Sequence, residues 1–165
     1  MAAAIEIYFS LGSNLGDRYI NIEKAIERLG SELGRPCQKC SEIIETQAWG
    51  GAEGGPFLNC AVCYIVPDAG QNSELYCTAI LGKCKSIESD LGRTEAPEYD
   101  NDGNRIYKAR TIDIDILFYG KELIKTELLT VPHPLAAIRD FVMTPLSRIA
   151  SDNLKTAFPE IFRLK

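Results

Sequence analysis

The sequence predicts an α+β fold in which an antiparallel sheet carries helices packed on it, in α/β/α layers. Three observations support this. Stretches alternating apolar and polar residues, the mark of strands, take turns along the chain with stretches whose apolar residues recur every three to four positions, the mark of helices. Turn-forming segments rich in Gly, Asn, Asp and Pro separate them. The length, 165 residues, suits one domain with a substantial core and is short for two, so residues 1–165 read as a single domain.

The elements follow in order. "AIEIYFSL" alternates Ile5, Ile7, Phe9 and Leu11 inward as a first strand and stops at "GSNLGD". Ile22, Ala25, Ile26, Leu29 and Leu33 then recur at helical spacing, with Asp17 as N-cap and Gly34 as stop. "CSEIIET" reads as a second strand and "FLNCAVCYIV" as a third ending at Pro67. Between them lies the glycine-rich "QAWGGAEGGP", long for a hairpin connection. A second helix is expected from Ser73, its cap, to Leu91, marked by Leu75, Ala79, Ile80, Cys84, Ile87 and Leu91, with Gly92 as terminator. "RTEAPEYDNDGNRIYKA" is polar without regular pattern. The strand holding Asp113 and Asp115 comes next, and "YGKELI" suggests a tight turn into a short partner strand. This order, β-α-β-β-α-β, is that of a ferredoxin-like split β-α-β core. "TVPHPL" and a short helix within "AAIRDFVMTPLSRIA" close the chain, and the tail from Ser151 is weakly patterned.

The net charge of −5 argues against a protein that binds nucleic acid by broad phosphate attraction. No apolar run approaches a membrane span, and "MAAAIEIYFSLGSN" lacks the features of a signal peptide, so the cytoplasm is the expected compartment, with reduced cysteines; a monomer is expected, although no feature of the sequence fixes the oligomeric state. "CQKC" and "CAVC" fall within zinc-site spacing. The second pair, however, lies in a strand-like run, where positions three apart point to opposite faces, so core packing is the expectation.

In "RTIDIDILFYG", Asp113 and Asp115 alternate with Ile112, Ile114 and Ile116 and so share one strand face, roughly 7 Å apart. Such a pair is either the wet side of a half-buried strand or a grip for Mg²⁺, which takes a few carboxylates, waters and substrate phosphate oxygens. "GSNLG" invites a phosphate-loop reading beside that of a plain structural turn, and lacks the Gly-Lys-Ser/Thr ending of a P-loop. Arg93, Arg105, Lys108, Arg110 and Arg139 are either surface partners of acidic residues or, if they converge near the aspartates, a polyphosphate clamp. His133, the single histidine, is held between two prolines in "PHP", which fix the local backbone. Trp49, Phe57 and Phe141 are aromatics beside loops, where core packing is the default.

Taken together, "SLGSNLGDR", "GPFLN", "IESDLGR", "ARTIDIDILFYG", "LTVPHP" and "RDFVMTPL", over about residues 5–150, resemble the 6-hydroxymethyl-7,8-dihydropterin pyrophosphokinase family of folate biosynthesis. The resemblance implies transfer of the β,γ-pyrophosphoryl group of ATP to the pterin hydroxymethyl group, with release of AMP and two Mg²⁺ ions bound with ATP. It implies Asp113 and Asp115 as metal ligands. Asn59 would hydrogen-bond the pterin, Phe57 and Phe141 would stack on it, and Thr46 would complete the pocket. Glu88, Arg93, Arg110, Ile116, Thr130, His133 and Arg139 would line the ATP side, with Arg93, Arg110 and Asp115 catalytic. The chain departs from the family pattern between Arg93 and Arg110. There Glu95 replaces an arginine, Tyr107 replaces a tryptophan, "EYDNDGN" lengthens the loop, and Arg105 is the candidate substitute cation. Two alternatives are a Mg²⁺-dependent phosphohydrolase using the same aspartates, and a non-catalytic ferredoxin-like ligand-binding module.

Overall fold

The computed structural model describes residues 3–47, 55–92, 98–106 and 110–163. Strand β1 (Ala4–Ser13) runs through the middle of the main sheet. On one side it pairs antiparallel with β4 (Phe57–Pro67) in an unbroken register from Ala4↔Pro67 to Ser13↔Leu58. On the other it pairs antiparallel with β7 (Asp113–Tyr119), with a bulge between Tyr8 and Phe9. The short strands β2 (Lys39–Cys40) and β3 (Ile44–Thr46) both add to the far edge of β4. The spatial order β2-β4-β1-β7 interleaves the two β-α-β units, as the sequence predicts.

Helices α1 (Arg18–Leu33) and α2 (Ser73–Asp90) cover one face, burying Ile22, Ala25, Leu29, Cys77, Ile80, Cys84 and Ile87 against Phe9, Leu11, Cys60, Val62, Ile114 and Ile116. The opposite face is covered by α3 (Asp140–Ile149) and the tail. Val142, Leu146, Leu154, Phe158 and Phe162 pack there on Tyr8, Ala61, Cys63 and Phe118. Because both faces are covered, Tyr8 and Ser10 are buried along with the inward set Ile7, Phe9 and Leu11.

Asp17 caps α1 as expected, its carboxylate accepting the Ile20 N–H at 3.1 Å, and Gly34 ends the helix in the left-handed conformation at φ +67°. Several other expectations need correction. "CSEIIET" is two strands, because Ser41 interrupts it: its hydroxyl accepts the Ala61 N–H at 2.9 Å, and the pairing with β4 slips by one residue between β2 and β3. Ser73 lies inside α2; its hydroxyl donates to the Gly70 carbonyl of the preceding 3₁₀ turn, and Asn72 holds the N-cap position. The buried stripe of α2 runs through Cys77, Ile80, Cys84, Ile87 and Glu88, leaving Leu75 and Ala79 exposed. "YGKELI" leads to β8 (Ile124–Lys125), which pairs with β9 (Thr130–Val131) and not back onto β7.

Within the irregular polar segment, β5 (Glu98–Tyr99) and β6 (Arg105–Ile106) form a small hairpin. It is closed by the Asp100 carboxylate, which accepts the N–H groups of Asp102 and Asn104, both at 2.9 Å. The tail beyond residue 150 has a structural role: α4 (Asp152–Ala157) starts at Ser151, whose hydroxyl donates to Glu6 at 2.6 Å, and Phe158 and Phe162 seat against Phe118. Among the described residues no helix is long and apolar enough to cross a membrane.

Candidate active site

The register places the expected site residues in rows across one sheet face. Gly12 on β1 stands opposite both Asn59 on β4 and Asp113 on β7, and Ile44 on β3 extends that row. Thr46 and Phe57 form the next row outward, and Ser10 and Asp115 the next row inward. This is the face that α3 covers. Here the apolar rows of Tyr8, Cys63 and Phe118 give way to polar side chains at the carboxyl-terminal end of β1. Strand alternation therefore explains the two aspartates. Ile112, Ile114 and Ile116 anchor the strand in the core at 0–4% exposure, while Asp113 and Asp115 remain half-buried on the far side.

On the β4 side, Asn59 is buried and its Nδ2 donates to Thr46 Oγ1 at 2.7 Å, joining two of the expected pterin residues. Gly12 is what lets them lie flat: a Cβ there would sit 3.0 Å from Asn59 Oδ1 and 3.4 Å from the Phe57 ring. Phe141 is in the first turn of α3, the helix that packs over β3 and β4, and the Arg139 guanidinium lies 5.5 Å from its ring centroid.

On the β7 side, Arg110 Nη1 pairs with Asp113 Oδ2 at 3.1 Å. His133 is fixed at both ends. Its main-chain N–H donates to the Leu117 carbonyl at 3.0 Å, and its Nδ1 accepts the Leu135 N–H at 3.2 Å. Burial, and then the Arg139 charge, push this imidazole below its usual pKa, while Asp113 pulls the other way. With Nδ1 used as an acceptor, the neutral ring carries its proton on Nε2 and can offer it to an anion. Thr130 is half-buried on β9, which packs beside β7.

Two expected residues stand elsewhere. Glu88 is 5% exposed beneath the sheet edge, where its Oε2 accepts the Ile114 N–H at 2.8 Å, so it holds β7 between the two aspartates from behind. The Ile116 side chain belongs to the core on the face opposite the aspartates, which leaves only its main chain for a nucleotide. Arg93 lies outside the described residues, as do Trp49, Glu95, Tyr107 and Lys108.

The sequence reading undervalued two residues. Asn14, in "GSNLG", does not cradle an anion with its side chain. Its Oδ1 accepts the Arg110 N–H at 2.6 Å and its Nδ2 donates to the Gly55 carbonyl at 3.2 Å, so it ties together the chain entering β7 and the chain entering β4. The sequence places Gly12 at the start of the "GSNLG" loop, whereas β1 runs through it to Ser13; no local signal marks a glycine that two cross-strand neighbours require. The zinc spacing also resolves. Cys60 and Cys63 lie in opposite cores, so the two C-x₂-C pairs cannot close on one ion.

Comparison with known proteins shows the family. A family model described as 7,8-dihydro-6-hydroxymethylpterin-pyrophosphokinase (HPPK) matches residues 8–151. A protein of Aquifex aeolicus called 2-amino-4-hydroxy-6-hydroxymethyldihydropteridine pyrophosphokinase is 39% identical over 143 residues, 87% of this chain and 79% of its own length. The protein of that name from Porphyromonas gingivalis is 40% identical over 145 residues, covering 87% of this chain and 90% of its own. A crystal structure of an HPPK-DHPS protein in complex with substrates superposes with a TM-score of 0.59, covering 97% of this chain and 43% of that one; at 14% identity this likeness supports the fold. The chain belongs to the 7,8-dihydro-6-hydroxymethylpterin-pyrophosphokinase family.

Proposed function

We propose that this chain transfers the β,γ-pyrophosphoryl group of ATP to the hydroxymethyl group of 6-hydroxymethyl-7,8-dihydropterin, giving the pterin diphosphate and AMP in folate biosynthesis. The observation that carries the reading is the row Asn59, Gly12, Asp113. A hydrogen-bonding amide and a carboxylate stand two strands apart, about 10 Å, with only a glycine between them. A flat heterocycle seated on Asn59 thus points an exocyclic group toward whatever Asp113 holds.

Asp113 and Asp115 suit magnesium. Among the described residues no cluster of three or more His, Cys, Asp or Glu side chains could hold a metal, and Mg²⁺ bound along with ATP needs only one or two carboxylates, the phosphates and water supplying the rest. Two such ions, when bound, would neutralise phosphate charge and make the β-phosphorus more electrophilic.

The chain's own residues perform positioning and charge stabilisation, the main requirements of phosphoryl transfer. Asn59 and Thr46 orient the heterocycle, and Phe57 and Phe141 stack on it. Arg110, Arg139 and the Nε2–H of His133 meet phosphate oxygens, with Thr130 on the same side and Arg93 a further phosphate partner that the family resemblance implies. Asp115 is the candidate to take the hydroxyl proton. In this reading the chain works as a monomer in the cytoplasm, with residues 1–165 acting as a single domain. Incubation with ATP, Mg²⁺ and hydroxymethyldihydropterin should release AMP only when the pterin is present. ADP or free phosphate as the main product would refute the reading.

A further inference from the structure

The paired C-x₂-C segments take no part in the site above, yet the sheet register brings one thiol from each together. Cys40 on β2 stands directly across from Val62 on β4, and Cys60 lies two residues before Val62, so all three side chains share the face covered by α1 and α2. There the two thiols are diagonal neighbours, and the Cys40 thiol donates to the Ser41 carbonyl at 3.4 Å. They differ in access: Cys40 is exposed, and Cys60 is fully buried. Interaction with the Cys60 thiol holds the Cys40 thiol down at about 7, and the same interaction, with burial, pushes the Cys60 thiol far up. The first proton therefore leaves the exposed sulfur. Cys37 packs nearby, but burial raises its thiol, which is directed at the Lys39 carbonyl at 3.2 Å.

We propose that Cys40 and Cys60 form an oxidisable dithiol, in which Cys40 meets a hydroperoxide and Cys60 closes a disulfide across β2 and β4. The Cys40 thiolate attacks a peroxide oxygen, forming an S–O bond as the O–O bond breaks. With hydrogen peroxide the hydroxide that leaves takes a proton from solvent to become one water, and a sulfenic acid remains on Cys40. The Cys60 sulfur then attacks the Cys40 sulfur. The S–S bond forms as the S–O bond breaks, and the departing hydroxide takes the Cys60 proton as a second water. Two thiols are oxidised and one peroxide is reduced. Cys60 needs no solvent access for this, because its reaction partner is its diagonal neighbour on β2. Diagonal neighbours must draw closer to reach disulfide geometry. β2 is the part able to yield, being two residues long at the end of the sheet order, whereas β4 is held on both sides.

The test uses the full reduced chain with one equivalent of hydrogen peroxide, followed by alkylation in denaturant, non-reducing digestion and mass spectrometry. The expected product joins the Cys40 and Cys60 peptides, two hydrogens lighter than their sum, and dithiothreitol abolishes it, while the other cysteines are alkylated. Cys40→Ser should slow peroxide-dependent thiol loss at least tenfold. Cys60→Ser should leave Cys40 as a sulfenic acid that dimedone captures. Alkylation of both Cys40 and Cys60 in the treated wild type would overturn the proposal, and so would a Cys37–Cys40 link in place of the expected one.

Discussion

Replacing Gly12 with alanine tests whether the pterin half of the site depends on a missing side chain. The new Cβ would lie 3.0 Å from Asn59 Oδ1 and 3.4 Å from Phe57 Cδ1, closer than comfortable contact for the first, so the Asn59 amide must move by a few tenths of an ångström. Asn59 is locked by its 2.7 Å bond to Thr46, and moving the amide weakens that bond and misaligns the group that reads the heterocycle. A neutral hydrogen bond contributes about 0.5–1.5 kcal/mol, so pterin affinity should fall about two- to tenfold. Gly12 lies in a strand and needs no left-handed backbone, so the fold should survive. Steady-state kinetics following AMP should show a raised KM for the pterin, with the KM for ATP within about twofold of wild type. Unchanged pterin affinity, or equal loss for both substrates, would refute the reasoning.

Asp113→Ala should lower turnover by on the order of a hundredfold or more while leaving pterin affinity nearly intact, because it removes a metal-type carboxylate and not the heterocycle's pocket; near wild-type turnover would count against that role. Glu88→Ala leaves the buried Ile114 N–H without its 2.8 Å acceptor and should cost about 1–3 kcal/mol in urea unfolding, whereas Glu88→Gln, which keeps an acceptor, should lose clearly less. His133 gives a pH signature. Its folded pKa lies below the ordinary 6.5, so as pH falls past about 6.5 the unfolded chain takes up the proton first and stability drops until the folded imidazole also titrates. Chemical denaturation at pH 7.5 and 5.5 should show this loss in the wild type and a smaller one in His133→Gln; equal losses would contradict the assignment.

Periodicity revealed the sheet, both covering helices and the aspartate strand, because each rests on local repeats that burial merely completes. It misplaced the cap of α2, since a serine can bond backward to Gly70 as readily as forward, and it merged β2 and β3 into one strand, since Ser41 gave no sign that its hydroxyl would replace a ladder bond. The tail escaped because its reason lies far away in sequence, at Glu6 and Phe118. Motifs pointed to Asn59, Thr46 and Asp113, but the meaning of Asn14 and Gly12 comes from partners scores of residues distant, and only folding brings those together. Glu88 shows the converse: the motif points to the right neighbourhood, and the carboxylate faces the strand that carries the site.

The central claim is that a single intact pyrophosphoryl group passes to the pterin. ATP carrying ³²P at the β position, incubated with the chain, Mg²⁺ and hydroxymethyldihydropterin and resolved by chromatography, tests it directly. The label should appear in the pterin diphosphate, with AMP unlabelled and formed in equal amount. Label found in ADP, or released as free pyrophosphate with the pterin unmodified, would contradict the account.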